Sequence, residues 1–350
     1  MIFAALAVLI VAGAIYIVFG ARSDSTASVT TPPTIVPITS TTQLPTTTST
    51  SSTTTTVASR ESGNPLYAVG NFTFTLTEPG KQLCAPHGAT SGCVERSMPL
   101  YVFFPASRGA PGEVVSDAAP DRSAGIFPLV VFGNGYLETS ASYSALLDYW
   151  ASRGYVVAAP QFPLSQANSV GGPWEADILN QPGDLSAAIS FMIGQDSSSS
   201  SSFYRLINTS EVAVVGQSDG ADAALAVGYN TCCTDPRVKA VISLSGAELS
   251  SYPGKYFTSA GPPLLVVQGT DDDINVPEDS QAVFAGAHPP KYYLSLLGAD
   301  HLEGYQGVNP YSNVVKRVTG AFLDSYLKGR SAALTEMSSA GNVPGVAQLS

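Results

Sequence analysis

The sequence predicts an α/β architecture, a mostly parallel central sheet with helices on both faces, and two features of the chain predict it. From Tyr67 onward, short β-branched apolar runs alternate with amphipathic stretches, the rhythm of parallel strands joined by crossover helices. One of these runs, residues 212–215, leads into Gly216-Gln217-Ser218-Asp219-Gly220 and then into the helix formers of 221–225, so a strand, a sharp turn and a helix follow one another.

The elements are expected in the following order. Residues 71–77 and 100–104 read as early antiparallel strands separated by a cysteine-containing loop. Buried strands are expected at 128–132 and 155–159, with a helix near 142–152 between them. Residues 183–194 form a helix whose Leu185, Ala188, Ile189 and Met192 recur at helical spacing. The serine run 197–202 carries no folding information and reads as a surface loop. Strands return at 212–215, 238–244, 264–268 and 292–296, and a last helix spans about 312–327. The Gly- and Ser-rich stretch from Ser331 is assigned no element, and no internal repeat is seen.

The first sixty residues cannot contribute to this fold, because Arg22, Asp24 and Arg60 are their only charged side chains and they divide into an apolar run and a Ser/Thr/Pro tract. Residues 2–20 are apolar over about the ~20 residues that cross a bilayer. The segment 1–22 is therefore expected to be a transmembrane anchor, with a cleaved signal as the alternative. Arg22 after the run opposes the expected orientation under the positive-inside rule, but a single arginine weighs little against the tract that follows. Residues 23–60 are expected to form a disordered linker reaching on the order of 35 Å. That leaves residues 61–350 for the folded domain, expected to be monomeric, at the cell surface or secreted.

The net charge of −11 sits almost wholly on those residues and excludes nucleic acid as a partner, since phosphate binding relies on clustered Lys and Arg. The four cysteines fit an oxidising compartment. Cys84 and Cys93 flank a Pro/Gly-containing loop and are expected to bridge it, whereas the adjacent Cys232 and Cys233 leave their pairing open. No CxxC pair, His cluster or carboxylate-rich loop is present, so neither a metal nor any other cofactor is expected.

The chemistry centres on Ser218. Glycines two residues to either side allow a backbone turn that projects the hydroxyl from the end of the strand, with the helix N-terminus behind it. Serine is a poor nucleophile without a base oriented by a carboxylate. Of the three histidines, His87 lies in the cysteine loop and His288 precedes Pro289-Pro290, while His301 follows the last strand on the nucleophile's side of the sheet. The acid is expected in Asp271-Asp272-Asp273, after strand 264–268. Asp273 is favoured for its Asp-x-x-x-Pro spacing to Pro277, and Asp272 is the runner-up. Backbone N–H groups of Asp219 and of Tyr136, in Gly133-Asn134-Gly135-Tyr136, are expected to form the oxyanion hole, with Leu137 as the competitor to Tyr136. Tyr136, Gln217 and Trp174 are placed at the substrate.

The chain resembles the dienelactone-hydrolase-like branch of the α/β hydrolases, near the platelet-activating-factor acetylhydrolases, chlorophyllases and bacterial cutinase-type polyester hydrolases. The residues that carry the likeness are 128–132 with Gly135-Tyr136, 216–220, Asp235-Pro236-Arg237-Val238-Lys239-Ala240-Val241, 269–277 and Gly298-Ala299-Asp300-His301, within a span of about 67–329. The resemblance implies the α/β-hydrolase fold and the same Ser, His, Asp and oxyanion roles. Gln217 replaces the His or Trp frequent before the nucleophile. Asp219 stands where relatives often carry Met, Arg or a small residue, and its charge would repel anionic substrates. Serine in place of the cysteine of dienelactone hydrolase implies esterase chemistry on a small or polymeric neutral ester, an acyl lipid, an acetyl group or a polyester. Acyl transfer with the same triad is the first rival, and a non-catalytic surface protein on this scaffold is the second.

Overall fold

A computed structural model describes residues 66–84, 92–169 and 171–350. The anchor and linker expected over 1–60, and His87, lie outside the described residues. Among the described residues no helix is long and apolar enough to cross a membrane.

Among the described residues the sheet has nine strands, β1 (Ala68–Leu83), β2 (Val94–Ala106), β3 (Phe127–Gly133), β4 (Val156–Pro160), β5 (Ile207–Gln217), β6 (Val238–Leu244), β7 (Leu264–Gly269), β8 (Lys291–Leu296) and β9 (Ala347–Leu349), in the order β1-β2-β4-β3-β5-β6-β7-β8-β9. The six central strands from β4 to β8 run parallel, while β1, β2 and β9 are antiparallel to their neighbours. The helices are α1 (Ser144–Ser152), α2 (Gln181–Ser197), α3 (Asp219–Tyr229), α4 (Pro277–Gly286), α5 (Pro310–Lys328) and α6 (Ala333–Gly341).

Successive side chains of the parallel strands go to opposite faces, and both faces are covered, which is why these strands read as unbroken apolar runs. Val130, Phe132, Val157, Val215 and Ile242 pack against Leu147 and Trp150 of α1 and Val315, Val318 and Phe322 of α5. Their neighbours Leu129, Val131, Val156, Val214 and Val241 pack against Leu185, Ile189 and Met192 of α2 and Ala223, Leu225 and Val227 of α3. Helix α5 begins with a reciprocal cap between Asn309 and Ser312, has Pro at its first turn and ends at Gly329 in the left-handed region.

The expected strands and helices are present, several with longer bounds. β1 and β2 extend far beyond 71–77 and 100–104 because their outer residues are polar and half-exposed, so no apolar run marks them. The unassigned C-terminal stretch instead forms α6 and β9, whose pairing covers the edge of β8. Helix α4, with Ser280 and Val283 as its buried residues, also escaped periodicity. Cys84 is bonded to Cys93, and Cys232 to Cys233.

A buried ionic cluster fastens the β1–β2 hairpin to the helical layer. Arg96 of β2 is 1% exposed and forks two carboxylates. Nε and Nη2 donate to Asp184 of α2 at 2.7 and 2.6 Å, and Nη1 and Nη2 donate to Asp177 at 2.9 and 2.8 Å. Removing one member of such a group strands the others without water. Arg96→Met is expected to lower unfolding stability by about 3–5 kcal/mol in a urea titration; a change below about 1 kcal/mol would show that the clamp is dispensable.

Candidate active site

Ser218 sits between β5 and α3 at φ 54° and ψ −125°, a conformation that costs a non-glycine residue of order 1–3 kcal/mol. It is held there because the chain before and after it is packed backbone to backbone. A Cβ at Gly216 would stand 1.9 Å from the Gly220 carbonyl oxygen, and one at Gly220 would stand 2.1 Å from the Gly133 carbonyl oxygen. Both glycines of the motif are thus demanded by close approach. The Ser218 N–H donates to the Leu244 carbonyl at 3.0 Å, which ties the turn to β6.

His301 follows β8 in a turn capped by Asp300, whose Oδ1 accepts from the N–H groups of Leu302 and Glu303 at 2.9 and 2.8 Å. The turn brings His301 Nε2 within 3.0 Å of Ser218 Oγ, and Nδ1 lies 3.0 and 2.9 Å from the two oxygens of Asp272. With its proton on Nδ1 and held by Asp272, the ring presents its Nε2 lone pair to the serine hydroxyl.

The carboxylate in contact is Asp272, not the favoured Asp273. Asp272 Oδ1 accepts from Ile274 and Asn275 N–H at 3.1 and 3.0 Å, and Oδ2 accepts from Gln268 Nε2 at 3.1 Å. This local Asx turn points Asp272 inward at 3% exposure and leaves Asp273 exposed. The spacing to Pro277 was misleading, since Pro277 simply begins α4. Burial pushes the Asp272 carboxyl up, but the hydrogen bond and charge of His301, with Ser245 and the Ile274 N–H, hold it below its ordinary value.

Of the expected oxyanion donors, Asp219 opens α3, so its N–H has no carbonyl one turn earlier in the helix. Leu137 is excluded, because its N–H donates to the Ser165 carbonyl at 2.6 Å. Tyr136, half-buried, directly follows Gly135, and a Cβ on Gly135 would lie 3.2 Å from Ser218 Cβ. The loop therefore passes close against Ser218.

Gln217 does not face a substrate as expected. Its side chain is wholly buried beneath the site, with Oε1 accepting from Tyr143 OH at 2.7 Å and Nε2 donating to the His301 carbonyl at 3.2 Å; Nε2 also lies 3.2 Å from His301 Nε2. Tyr143 OH in turn accepts from Gly135 N–H at 3.3 Å, so one phenol braces both the histidine turn and the loop over the serine. Nothing in the sequence marked Tyr143, which resembles any helix-start aromatic. Trp174, 40% exposed, precedes Glu175, whose charge acts on both Tyr136 and Asp219, so this segment borders the site.

The three side chains in contact follow one another along the chain in the order Ser218, Asp272, His301. Residues 105–248 match the family model described as Chlorophyllase, an α/β-hydrolase-type family. The α/β fold is consistent with that family, and the match supports a hydrolase of the α/β-hydrolase type. The match spans the loop over the nucleophile and Ser218 itself but ends before Asp272 and His301, so the assignment of those two rests on distances alone. No curated protein matches the chain.

Asp219 is the unusual feature of the site. Burial pushes its carboxyl up to about 7, with the Glu175 charge adding to the rise and His301 opposing it, and its Oδ2 is buried without a hydrogen-bond partner among the described residues. The folded state favours the protonated acid. Stability from this group is complete below the unfolded value near 3.8 and is lost as pH rises through about 7. Asp219→Asn is therefore expected to leave stability unchanged at pH 3.5 and to raise it progressively to pH 8, by up to about 4 kcal/mol, in urea unfolding; a gain that is flat with pH would refute the assignment. For the acid, Asp272→Ala is expected to slow labelling of Ser218 by a fluorophosphonate probe roughly 10⁴-fold. Asp273→Ala is expected to leave the labelling rate within about twofold.

Proposed function

We propose that the protein is an extracellular serine hydrolase that cleaves neutral carboxylic esters, with Ser218 as nucleophile, His301 as base and Asp272 as the orienting acid. The observation that carries this reading is the unbroken relay from Ser218 Oγ to His301 Nε2 at 3.0 Å and from His301 Nδ1 to Asp272 at 2.9 Å, at a serine held in a strained turn.

Ser218 Oγ attacks the ester carbonyl carbon as its proton passes to His301 Nε2. Asp272, held ionised, stabilises the imidazolium that forms. The carbonyl oxygen becomes an oxyanion and is received by the N–H groups of Tyr136 and Asp219. Collapse expels the alkoxide, which takes the proton back from His301 and leaves an acyl-enzyme. Water, deprotonated by the same nitrogen, then releases the acid and restores the serine. A neutral Asp219 side chain adds no opposing charge beside the oxyanion, which favours turnover on the acidic side of its titration. Glu175 and the net charge of −11 favour neutral over anionic substrates.

The two disulfides support an oxidising location, and the apolar segment 2–20 supports tethering of the domain to a membrane. The purified protein is expected to hydrolyse p-nitrophenyl butyrate, and Ser218→Ala to lower the rate by roughly 10⁴-fold or more. Equal rates for the two proteins would end the esterase reading. A series of esters graded by acyl length then ranks the acyl groups accepted.

A further inference from the structure

Among the described residues, six other than glycine have positive φ, and only two of these are buried: Ser218 after β5 and Ser245 after β6. The first is the nucleophile of the proposed reaction. The second is fully buried at φ 49° on the neighbouring strand's end. Buried strain at a non-glycine residue persists only where its surroundings fix it, and it gathers at functional sites.

The partners of Ser245 come from β7, from the loop of Asp272 and from the turn of His301. Its N–H donates to the Val267 carbonyl of β7 at 2.8 Å, and its carbonyl accepts from Asn275 Nδ2 at 2.7 Å. Its hydroxyl lies 2.8 Å from Tyr305 OH, four residues beyond His301. The same hydroxyl bonds the Asp272 carboxyl. Burial raises that carboxyl, and the bond and charge of His301, with the bond from Ser245, bring it below its ordinary value. A carboxylate only accepts, so the Ser245 proton goes to Asp272. The Ser245 oxygen is then open to a donor, and the Tyr305 phenol supplies one at 2.8 Å. The phenol's other acceptor, the Val267 carbonyl at 3.1 Å, already has the Ser245 N–H.

We propose that Ser245 is a positioning residue for Asp272: the chain from Tyr305 OH through Ser245 Oγ holds the carboxylate against His301 Nδ1, and the strained backbone at 245 aims the hydroxyl. This role rests on the esterase reading. The other donors to Asp272, Gln268 Nε2 and the N–H groups of Ile274 and Asn275, belong to β7 and to its own loop, whereas Ser245 also reaches the histidine turn. Removing the Ser245 donor concentrates the carboxylate's charge on the bond to His301, which favours the imidazolium, and it loosens the carboxylate's aim. The titratable groups that face this pair are Asp219 of α3, whose charge acts on His301, and the Tyr305 phenol; Asp271 and Asp273 on the acid's own loop are exposed.

The test compares Ser245→Gly, Ser245→Ala and Tyr305→Phe in the full-length protein, with Asp219 untouched. Glycine adopts φ 49° without strain and keeps both backbone bonds, so its urea midpoint is expected to match the parent's. Alanine keeps the strain. Both lose the hydroxyl, and both are expected to slow fluorophosphonate labelling of Ser218 by about three- to tenfold. The acid limb of the rate profile is expected to move up by about half a pH unit in each, because the favoured imidazolium cannot act as base. Tyr305→Phe is expected to move both readouts the same way by less, and to add nothing to Ser245→Gly. Glycine labelling at the native rate with an unshifted profile overturns the proposal, since a role through the backbone alone predicts that outcome. So does a Tyr305→Phe effect that adds in full to that of Ser245→Gly. In proton NMR the Nδ1–H signal of His301 is expected to move further downfield in both Ser245 variants, and an unmoved signal also overturns the proposal. That signal needs no hydrolysis. A native protein that resists labelling would overturn the esterase reading, and the signal would still decide whether Ser245 holds Asp272 against His301.

Discussion

The site depends on the backbone of Ser218 being forced into a conformation that a serine does not choose. The force comes from two carbonyl-lined contacts with no room for a Cβ, where Gly216 meets Gly220 and Gly220 meets Gly133. The same packing sets two other distances. It draws the end of β3 over the start of α3, so the loop carrying Tyr136 crosses above the hydroxyl. It also seats the N-terminus of α3 directly behind the serine, where its free N–H groups and dipole favour negative charge. Strain at one residue and the approach of backbone N–H groups to its hydroxyl are therefore consequences of one steric arrangement.

Around this turn lies a layer of buried amides and hydroxyls that leaves the side chains of Ser218, His301 and Asp272 little freedom. Tyr143 and Gln217 hold the histidine turn from below. Gln268 fixes Asp272 from the strand side, and Ser280 of α4 donates to Gln268 Oε1 at 2.6 Å. Asn275 ties the Asp loop to the Ser245 carbonyl at 2.7 Å. In a low-dielectric interior each of these bonds is stronger than in water, and each unpaired member would be correspondingly costly. Such a layer maintains alignment without help from substrate.

Much of this was legible in the chain. The parallel strands announced themselves because burial on both faces removes polar residues from them, and Ser218 and His301 follow from G-x-S-x-G and from a shortage of histidines. The misreadings share one cause, that local pattern says nothing about direction. Asp272 and Asp273 differ by one step of backbone, and only the Asx turn formed with Ile274 and Asn275 decides which carboxylate points inward. Gln217 was placed at the substrate because of its address, whereas the rotation of β5 turns it under the histidine. The polar faces of β1 and β2 and the short C-terminal elements have compositions that serve loops equally well, and their pairing partners are far away in sequence.

Ser218, Asp272 and His301 all issue from the C-terminal rim of the parallel strands, whereas the ground around them comes from elsewhere. Segment 175–180 is anchored by Asp177 to Arg96 of the antiparallel hairpin and by the Ile178 carbonyl to Tyr252, and it delivers Glu175 beside Asp219. The Glu175 charge beside Asp219 opposes any further negative charge near Ser218.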